Sequence, residues 1–399
     1  MRYLSIVLPS LKLLTVQILA FFTKAKYEKK RIWLVGEKKR EARDNGYHVF
    51  KYLNDEHPEI ESYYAIQKSS TDYAKVESLG KIVEYNSWKH CLLYFVSEVR
   101  ACSQVHGVRP YEEYSGLSRL FFFKRKGQKH IHLKHGIAKD LLSVYDFRKY
   151  GYDLLICGAR PEYDYYKKQY NYPDDKIALT GLCRYDALND FKCKNILLIM
   201  PTFREWLRTS DSSKDMVTEV ELARFKGSDY YINYCRLLKD INESSLLEGD
   251  MHAVFYLHYT LQPYRIAFVD CGTNNIIIAS RNEYDVQQLL KDAKALVTDY
   301  SSVYSDFAYM GKPVVYFQFD EEKYRKEHYQ QGYFDYHRDG FGPVLYKTND
   351  VVEYLNMLKE SEYSMETLYK NRLKNYFPYR DGRNCERVFN SIKNIIKDN

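Results

Sequence analysis

Residues 295–302 read Ala295-Leu296-Val297-Thr298-Asp299-Tyr300-Ser301-Ser302, a short apolar run that ends on an acid and two serines. A run of this length with β-branched members and no alternating polar residues fits a strand buried on both faces, as parallel sheets require. The stretch after it, 302–310, has helical spacing, so the acid and the serines stand where a helix N-terminus is capped. A strand passing directly into a helix is half of a βαβ unit, which predicts parallel strands on both sides of it.

The flanking sequence supplies those strands. Apolar runs at 195–200, 253–257, 275–279 and 313–317 read as neighbours, with helices at 285–293 and 302–310. An earlier series at 31–36, 63–67, 82–85, 99–105, 130–134, 152–158 and 176–180 has the same character, with helical pieces at 46–54 and 88–97. A short polar stretch at 188–192 separates the two series. The pattern predicts an α/β chain of two Rossmann-like, doubly wound domains facing a cleft, the GT-B arrangement of many nucleotide-dependent transferases. The predicted divisions are a segment 1–30, a first domain 31–190 and a second domain 191–399.

Composition agrees with two cores. The chain has 399 residues, of which 45% are hydrophobic and 28% charged, a globular balance. Tyrosine stands out with 41 copies. Its ring and hydroxyl suit half-buried surfaces and polyol contacts, although a compositional habit accounts equally well for most of them. Eight cysteines are scattered without a CxxC pair, which predicts reduced, buried thiols of a cytoplasmic protein and neither a disulfide frame nor a metal site.

The formal net charge is +7, and its distribution is uneven. Arg2, Lys12, Lys24, Lys26, Lys29, Lys30 and Arg31 face a single acid, Glu28, within the first 31 residues, so nearly all the excess is N-terminal. A nucleic-acid binder spreads its basic residues over a folded face, so no nucleic-acid partner is expected. Residues 4–22 are largely apolar but are broken by Pro9, Lys12 and Gln17. A lysine near the middle of a span costs about 2.5–3.5 kcal/mol. The reading preferred over a span or a core helix is an amphipathic segment lying in a membrane surface, with the basic run meeting anionic headgroups.

In doubly wound sheets ligands bind at the carboxyl ends of the strands, so the residues after each strand carry the chemistry. The strand at 130–134 is followed by His135 and Gly136, an imidazole beside a backbone free to approach a ligand; a capping or core histidine has the same appearance. The strand at 176–180 leads through Gly181 to Arg184, suited to phosphate or equally to pairing with Asp186. Thr202 and Arg204 follow the strand at 195–200, and His258 follows that at 253–257. Asp299, Ser301 and Ser302 either cap the next helix or hold a pyrophosphate with hydroxyls and helix N–H groups, and Asp306 lies one turn later. No GxxxxGK[ST], HExxH or GxSxG motif occurs, which removes the usual support for P-loop hydrolysis, zinc proteolysis and esterase chemistry.

In this order the motifs resemble the CDP-glycerol glycerophosphotransferase family of teichoic acid and capsule polymer biosynthesis. The marks are Ala42-Arg43-Asp44-Asn45-Gly46, His135-Gly136, Gly181 with Arg184 and Asp186, Pro201-Thr202-Phe203-Arg204, His258, and Thr298-Asp299-Tyr300-Ser301-Ser302 with Asp306. Gly311-Lys312-Pro313, Gly342-Pro343 and the stretch from Asp381 to Arg387 close the series. The resemblance implies transfer of glycerol phosphate, or a related alditol phosphate, from a CDP-activated donor to a polyprenyl-diphosphate-linked or polymer acceptor, with release of CMP and no bound cofactor. It implies a peripheral enzyme on the cytoplasmic face of the membrane. His135 is then the base for the acceptor hydroxyl, and His258 supports the donor diphosphate. Gly136, Arg184, Thr202, Arg204, Asp299, Ser301, Ser302 and Asp306 are then substrate contacts. Two positions depart from the family pattern: Ile137-Ala138 stand where Thr-Pro is usual, and Cys183 replaces a proline.

Two other readings share these features, a GT-B glycosyltransferase using a nucleotide sugar and a non-catalytic membrane scaffold. Residues 205–230 show no clear register and are expected to form a lid or a loop that contacts acceptor or membrane.

Overall fold

The computed structural model of the chain describes residues 4–114, 117, 121, 125–208 and 217–397. It contains two parallel sheets. The first holds β1 (Ile32–Gly36), β2 (Glu61–Ile66), β3 (Ile82–Glu84), β4 (Val99–Cys102), β5 (Lys129–His132), β6 (Leu154–Cys157) and β7 (Ile177–Leu179), in the order β3-β2-β1-β4-β5-β6-β7. The second holds β8 (Ile196–Met200), β9 (His252–Phe255), β10 (Ile276–Ile278), β11 (Ala295–Thr298), β12 (Val314–Phe317) and β13 (Val344–Leu345), in the order β10-β9-β8-β11-β12-β13. Central strands such as β1 and β11 are buried at every position, which is why their sequences lack polar alternation. In each sheet the winding reverses beside the first strand, between β1 and β4 and between β8 and β11, and a ligand crevice opens at such a switch point.

The chain separates into two compact units, one of Met1–Ile137, Leu142–Ala187 and Pro378–Asn399, the other of Ala138–Leu141 and Leu188–Phe377. Two short segments therefore depart from the division drawn at 190/191. Ala138–Leu141 joins the second unit because Asp140 pairs with Arg325 (2.7 Å) and the Leu141 N–H donates to the Gln330 carbonyl (3.1 Å). The C-terminal helix Asn384–Lys397 returns to the first unit. Asp186 accepts from the N–H groups of Asn384 (2.9 Å) and Cys385 (2.8 Å), so it caps this helix. Gly181 makes the approach possible, since its φ is +82° and a Cβ there would meet the Asn384 side chain at 2.1 Å.

The N-terminal helix spans Leu4–Glu28. Leu13, Val16 and Ala20 pack against Cys91, Phe95 and Val96 of the helix Trp88–Val96. Lys12, the interruption in the apolar run, turns toward the protein: its Nζ donates to the Asn86 carbonyl (2.6 Å) and sits 5.2 Å from the Trp88 ring centre. The other side of the helix leaves Ile6, Val7, Leu8, Leu11, Ile18, Leu19, Phe21 and Phe22 exposed, Phe22 by 79%.

The cysteines differ from expectation at one pair. Cys235 and Cys271, 36 residues apart, are joined by a disulfide between the helix Asp229–Glu243 and the 3-10 segment Tyr259–Cys271. Spacing of that length carries no local signal, whereas packing of the two segments brings their Cα atoms to 5.9 Å. Cys91, Cys102, Cys157, Cys183, Cys193 and Cys385 are free thiols. Tyrosine also has more than a surface role: Tyr64, Tyr152, Tyr166, Tyr185, Tyr230, Tyr234, Tyr300, Tyr304, Tyr309 and Tyr316 are among the largest fully buried side chains.

Candidate active site

In the first unit the ends of β1 and β5 build a histidine–carboxylate pair. His135 follows β5, its side chain is 65% exposed, and its Nδ1 hydrogen-bonds to Asp44 Oδ2. A carboxylate on Nδ1 holds the proton there and leaves the Nε2 lone pair for chemistry. Arg184 bonds to the other Asp44 oxygen (2.6 Å) and donates to the His135 carbonyl, so the guanidinium fixes both members of the pair. Gly136 lies under the same guanidinium, with a Cβ placed there 3.4 Å from Arg184 Nη2.

The surroundings explain why this loop keeps its shape. Glu37, just after β1, is buried and accepts from the N–H groups of Arg43 (2.9 Å), Asp44 (2.9 Å) and Tyr47 (2.7 Å). Burial, and then the charge of Asp44, push the Glu37 carboxyl above its ordinary range. Asn45 bridges two loops, donating to the Lys134 carbonyl (2.8 Å) and accepting from the Arg184 N–H (2.9 Å). Gly46 is required for contact with β1, because a Cβ would lie 2.5 Å from the Gly36 carbonyl oxygen. Lys134 takes φ +61°, an unusual backbone state for a non-glycine residue, and turns the chain into His135. Its fully buried ammonium is paired with Glu162 and donates to the Tyr166 hydroxyl (3.1 Å), which holds that turn.

The charges set the titration of the pair. Burial alone would raise the Asp44 carboxyl, but His135 and Arg184 outweigh it and hold Asp44 down to about 2. Asp44 in turn raises the His135 imidazole above its usual value. A depressed carboxylate contributes stability above its unfolded value and loses it as pH falls toward its folded one, so Asp44 stabilises above about pH 4 and ceases to below about pH 2. A base must be neutral, so activity that depends on His135 should fall as pH drops through a value above the ordinary 6.5. In Asp44→Asn that acid limb is expected to move to lower pH while the plateau drops. A pH–rate profile reads both, and an unmoved limb contradicts the pairing.

The second unit gathers its residues at the switch point between β8 and β11. Thr202 follows β8; its N–H donates to Asp299 Oδ1 (2.7 Å), while its hydroxyl is buried and has no partner among the described residues. Ser301 is half-buried and Ser302 exposed. Ser302 stands at the N-cap of the helix Val303–Tyr309 without a side-chain capping bond, so ordinary capping does not use its hydroxyl. Asp306 is buried in that helix, 3.4 Å from the Ser305 hydroxyl. His258 follows β9, accepts the Thr260 N–H at Nδ1 (3.3 Å) and stacks on Phe203 with centroids 4.7 Å apart. That bond leaves the neutral ring's proton on Nε2, as a donor.

Two residues expected at the rim lie below it. Arg204 and Asp299 are fully buried and paired at 2.9 Å. Arg204 also bonds to Asp320 through Nε (2.7 Å) and Nη2 (2.9 Å), and to the Thr202 carbonyl (2.9 Å). Asp299 Oδ2 accepts from Tyr234 (3.1 Å). Their contacts position Thr202 and the β11 loop, so direct substrate contact gives way to a supporting role. The sequence marks Asp44-Asn45-Gly46 as a motif without giving it a role, and Glu37 carries no signal of its own; in the structure Glu37, Asp44 and Asn45 brace the loop beside His135. No cluster of three or more His, Cys, Asp or Glu side chains among the described residues has the form of a metal site.

Two parallel sheets, each with polar groups at its strand ends and one with a carboxylate-oriented histidine, define a two-domain α/β protein with the layout of a strand-end ligand site. The chain belongs to the CDP-glycerol:poly(glycerophosphate) glycerophosphotransferase family, whose sequence profile matches residues 17–394. It is 31% identical over 383 residues to the minor teichoic acid biosynthesis protein GgaB of Bacillus subtilis (strain 168), covering 92% of this chain and 40% of that protein. It is 34% identical over 292 residues to the teichoic acid poly(ribitol-phosphate) polymerase of Bacillus spizizenii, covering 69% of this chain and 41% of that one. The chain thus spans about 40% of the length of these curated relatives. A solved structure of the wall teichoic acid polymerase TagF shares the fold, with a TM-score of 0.68, 17% identity and coverage of 97% of this chain and 94% of that one.

Proposed function

We propose that this chain transfers an alditol phosphate, glycerol phosphate or a close relative, from a CDP-activated donor to a hydroxyl of a polymer or lipid-linked acceptor. The observation that carries the reading is the His135–Asp44 pair, an exposed imidazole held through Nδ1 by a carboxylate at a strand end. His135 Nε2 takes the proton of the acceptor hydroxyl. The acceptor oxygen bonds to the phosphorus that bears the alditol, the bridging P–O bond breaks, and CMP leaves. The Thr202, Ser301 and Ser302 hydroxyls and the His258 Nε2–H supply donors for phosphate oxygens, and Asp306 accepts from a donor hydroxyl. Phosphoryl transfer needs positioning and charge stabilisation more than covalent steps, which suits groups held on strand ends.

The test is CMP release from CDP-glycerol and CDP-ribitol with a polyprenyl-linked acceptor. Turnover of a nucleotide sugar in place of either CDP-alditol would transfer the chain to the glycosyltransferases, and silence with all donors would favour a scaffold.

The same proposal places the chain on a membrane surface. The exposed apolar side of the helix Leu4–Glu28 supports this, because the docked Leu13, Val16 and Ala20 tie the helix to the protein while Leu8, Leu11, Ile18 and Phe22 remain available. Nearby basic residues add about 1 kcal/mol each at an anionic surface. Flotation with anionic vesicles should therefore recover the chain, and Leu8→Ser with Phe22→Ser should leave it in the soluble fraction. Equal recovery of both proteins contradicts the surface role of this helix.

A further inference from the structure

A cavity in the second unit lies beside the segment whose register the sequence left open. Residues after Arg204 form a 3-10 turn, Glu205–Leu207, and the helix Glu219–Lys226, which begins with a capping box between Thr218 and Glu221. Together with the start of the helix Asp229–Glu243 they line a cavity of about 270 Å³.

Its lining combines three kinds of recognition. Trp206 offers a flat indole face, and it is held from two sides: Arg224 Nη2 donates to its carbonyl (3.5 Å), and Lys323 Nζ lies 4.7 Å from its ring centre. Arg224 and Lys323 are exposed cations at the cavity. The N-terminus of the 15-residue helix Asp229–Glu243, capped by Ser228, adds its positive end. Asp320 contributes little free charge because Arg204 binds both its oxygens, which leaves Asp229 as the one acid lining the cavity without an ion pair described here. Tyr230 is 2% exposed, lines the same cavity, and its hydroxyl has no hydrogen-bond partner among the described residues. That hydroxyl is itself closed off from solvent, so the phenol walls the cavity and does not offer it a polar group.

The balance favours one anionic group together with hydroxyls. Two cations and a helix N-terminus exceed one acid, which suits a single phosphate. Indole and carboxylate suit a polyol, with its carbon skeleton on the ring and its hydroxyls on the acid's oxygens. Size decides between a whole donor and a fragment. Pockets for drug-sized ligands run to about 300–1,000 Å³. A space of about 270 Å³ lies below that range and matches a single alditol phosphate better than a whole CDP-alditol.

We propose that this cavity is a subsite for one alditol phosphate unit of the acceptor chain, bound by Arg224 and Lys323 at the phosphate and by Trp206 and Asp229 at the polyol. The ligand class rests on the transferase reading above. The subsite would hold a unit of the chain already made, apart from the transfer itself.

Calorimetric titration of the full chain with sn-glycerol 3-phosphate, ribitol 5-phosphate, inorganic phosphate and glycerol tests it. Saturable binding of an alditol phosphate is expected, weakened at least about tenfold in Arg224→Gln/Lys323→Gln and in Trp206→Ala. Inorganic phosphate and glycerol should each bind at least about tenfold more weakly than the alditol phosphate. No saturable binding, binding unchanged in both variants, or inorganic phosphate binding equally well would each overturn the subsite. CMP release is measured on the same proteins. Release without alditol phosphate binding rejects the subsite alone, and binding without release from any CDP-alditol supports the subsite while rejecting the transferase reading. Far-UV circular dichroism confirms that the variants, altered at exposed or half-exposed side chains, are folded.

Discussion

His135→Ala is expected to lower CMP release from a CDP-alditol by about 10²–10⁴-fold, the range a positioned general base contributes. The expectation rests on an unusual combination in one side chain. His135 is 65% exposed, so its removal leaves no core cavity, yet its ring is held by Asp44 and its backbone by Arg184. Thermal stability should therefore change little while turnover collapses. Asp44→Asn should lie between wild type and His135→Ala, because it releases the ring without removing it. The buried histidines provide a contrast. His90 and His132 are pushed down to about 3 by burial, so both stay neutral near neutral pH, but neither is within reach of a substrate, and His132 bonds to a backbone carbonyl in the core. Activity within a few-fold of wild type in His135→Ala would remove His135 as the base.

Strands such as β1, β6, β8, β11 and β12 were legible because they are short, largely apolar runs, a consequence of burial on both faces. β13 escaped, since Val344-Leu345 is two residues long and only half-buried. The strand-end placement of His135, Thr202, Ser301 and Ser302 was legible because each closely follows an apolar run. The role of Asp44 was not, since 91 residues separate it from His135 and only the pairing of β1 with β4, and of β4 with β5, brings them together. The helix Glu219–Lys226 had a local signal in the Thr218–Glu221 capping box, but no apolar stripe around it gave a register. Arg204 shows the limit of motif reading. An arginine two residues past a strand normally reaches solvent, and full burial of one is rare without partners. Its partners, Asp299 and Asp320, lie 95 and 116 residues away in the chain.

Arg204→Met is accordingly expected to act on stability first. The guanidinium is fully buried between Asp299 and Asp320, with the rings of Tyr230, Tyr300 and Tyr324 at 5.1–5.2 Å from its central carbon. Burial works against its charge, and the two carboxylates outweigh that cost. A methionine fills much of the volume but leaves both acids inside without their cation, and breaking a buried pair in this way costs about 3–5 kcal/mol. Set against a total stability of about 5–15 kcal/mol, that is enough to populate unfolding of the second unit well below the wild-type melting temperature. The carboxylates, and not the lost arginine itself, should be the source of the damage. Arg204→Met combined with Asp320→Asn should then regain part of the loss, a coupling visible in a urea double-mutant cycle because the two side chains touch. If Arg204 instead served chiefly as a donor ligand, Arg204→Met would melt like wild type and lose only affinity for the CDP-alditol. Recovery through Asp320→Asn separates the two accounts, since removing an acid 116 residues away restores stability only where the acid was left unpaired.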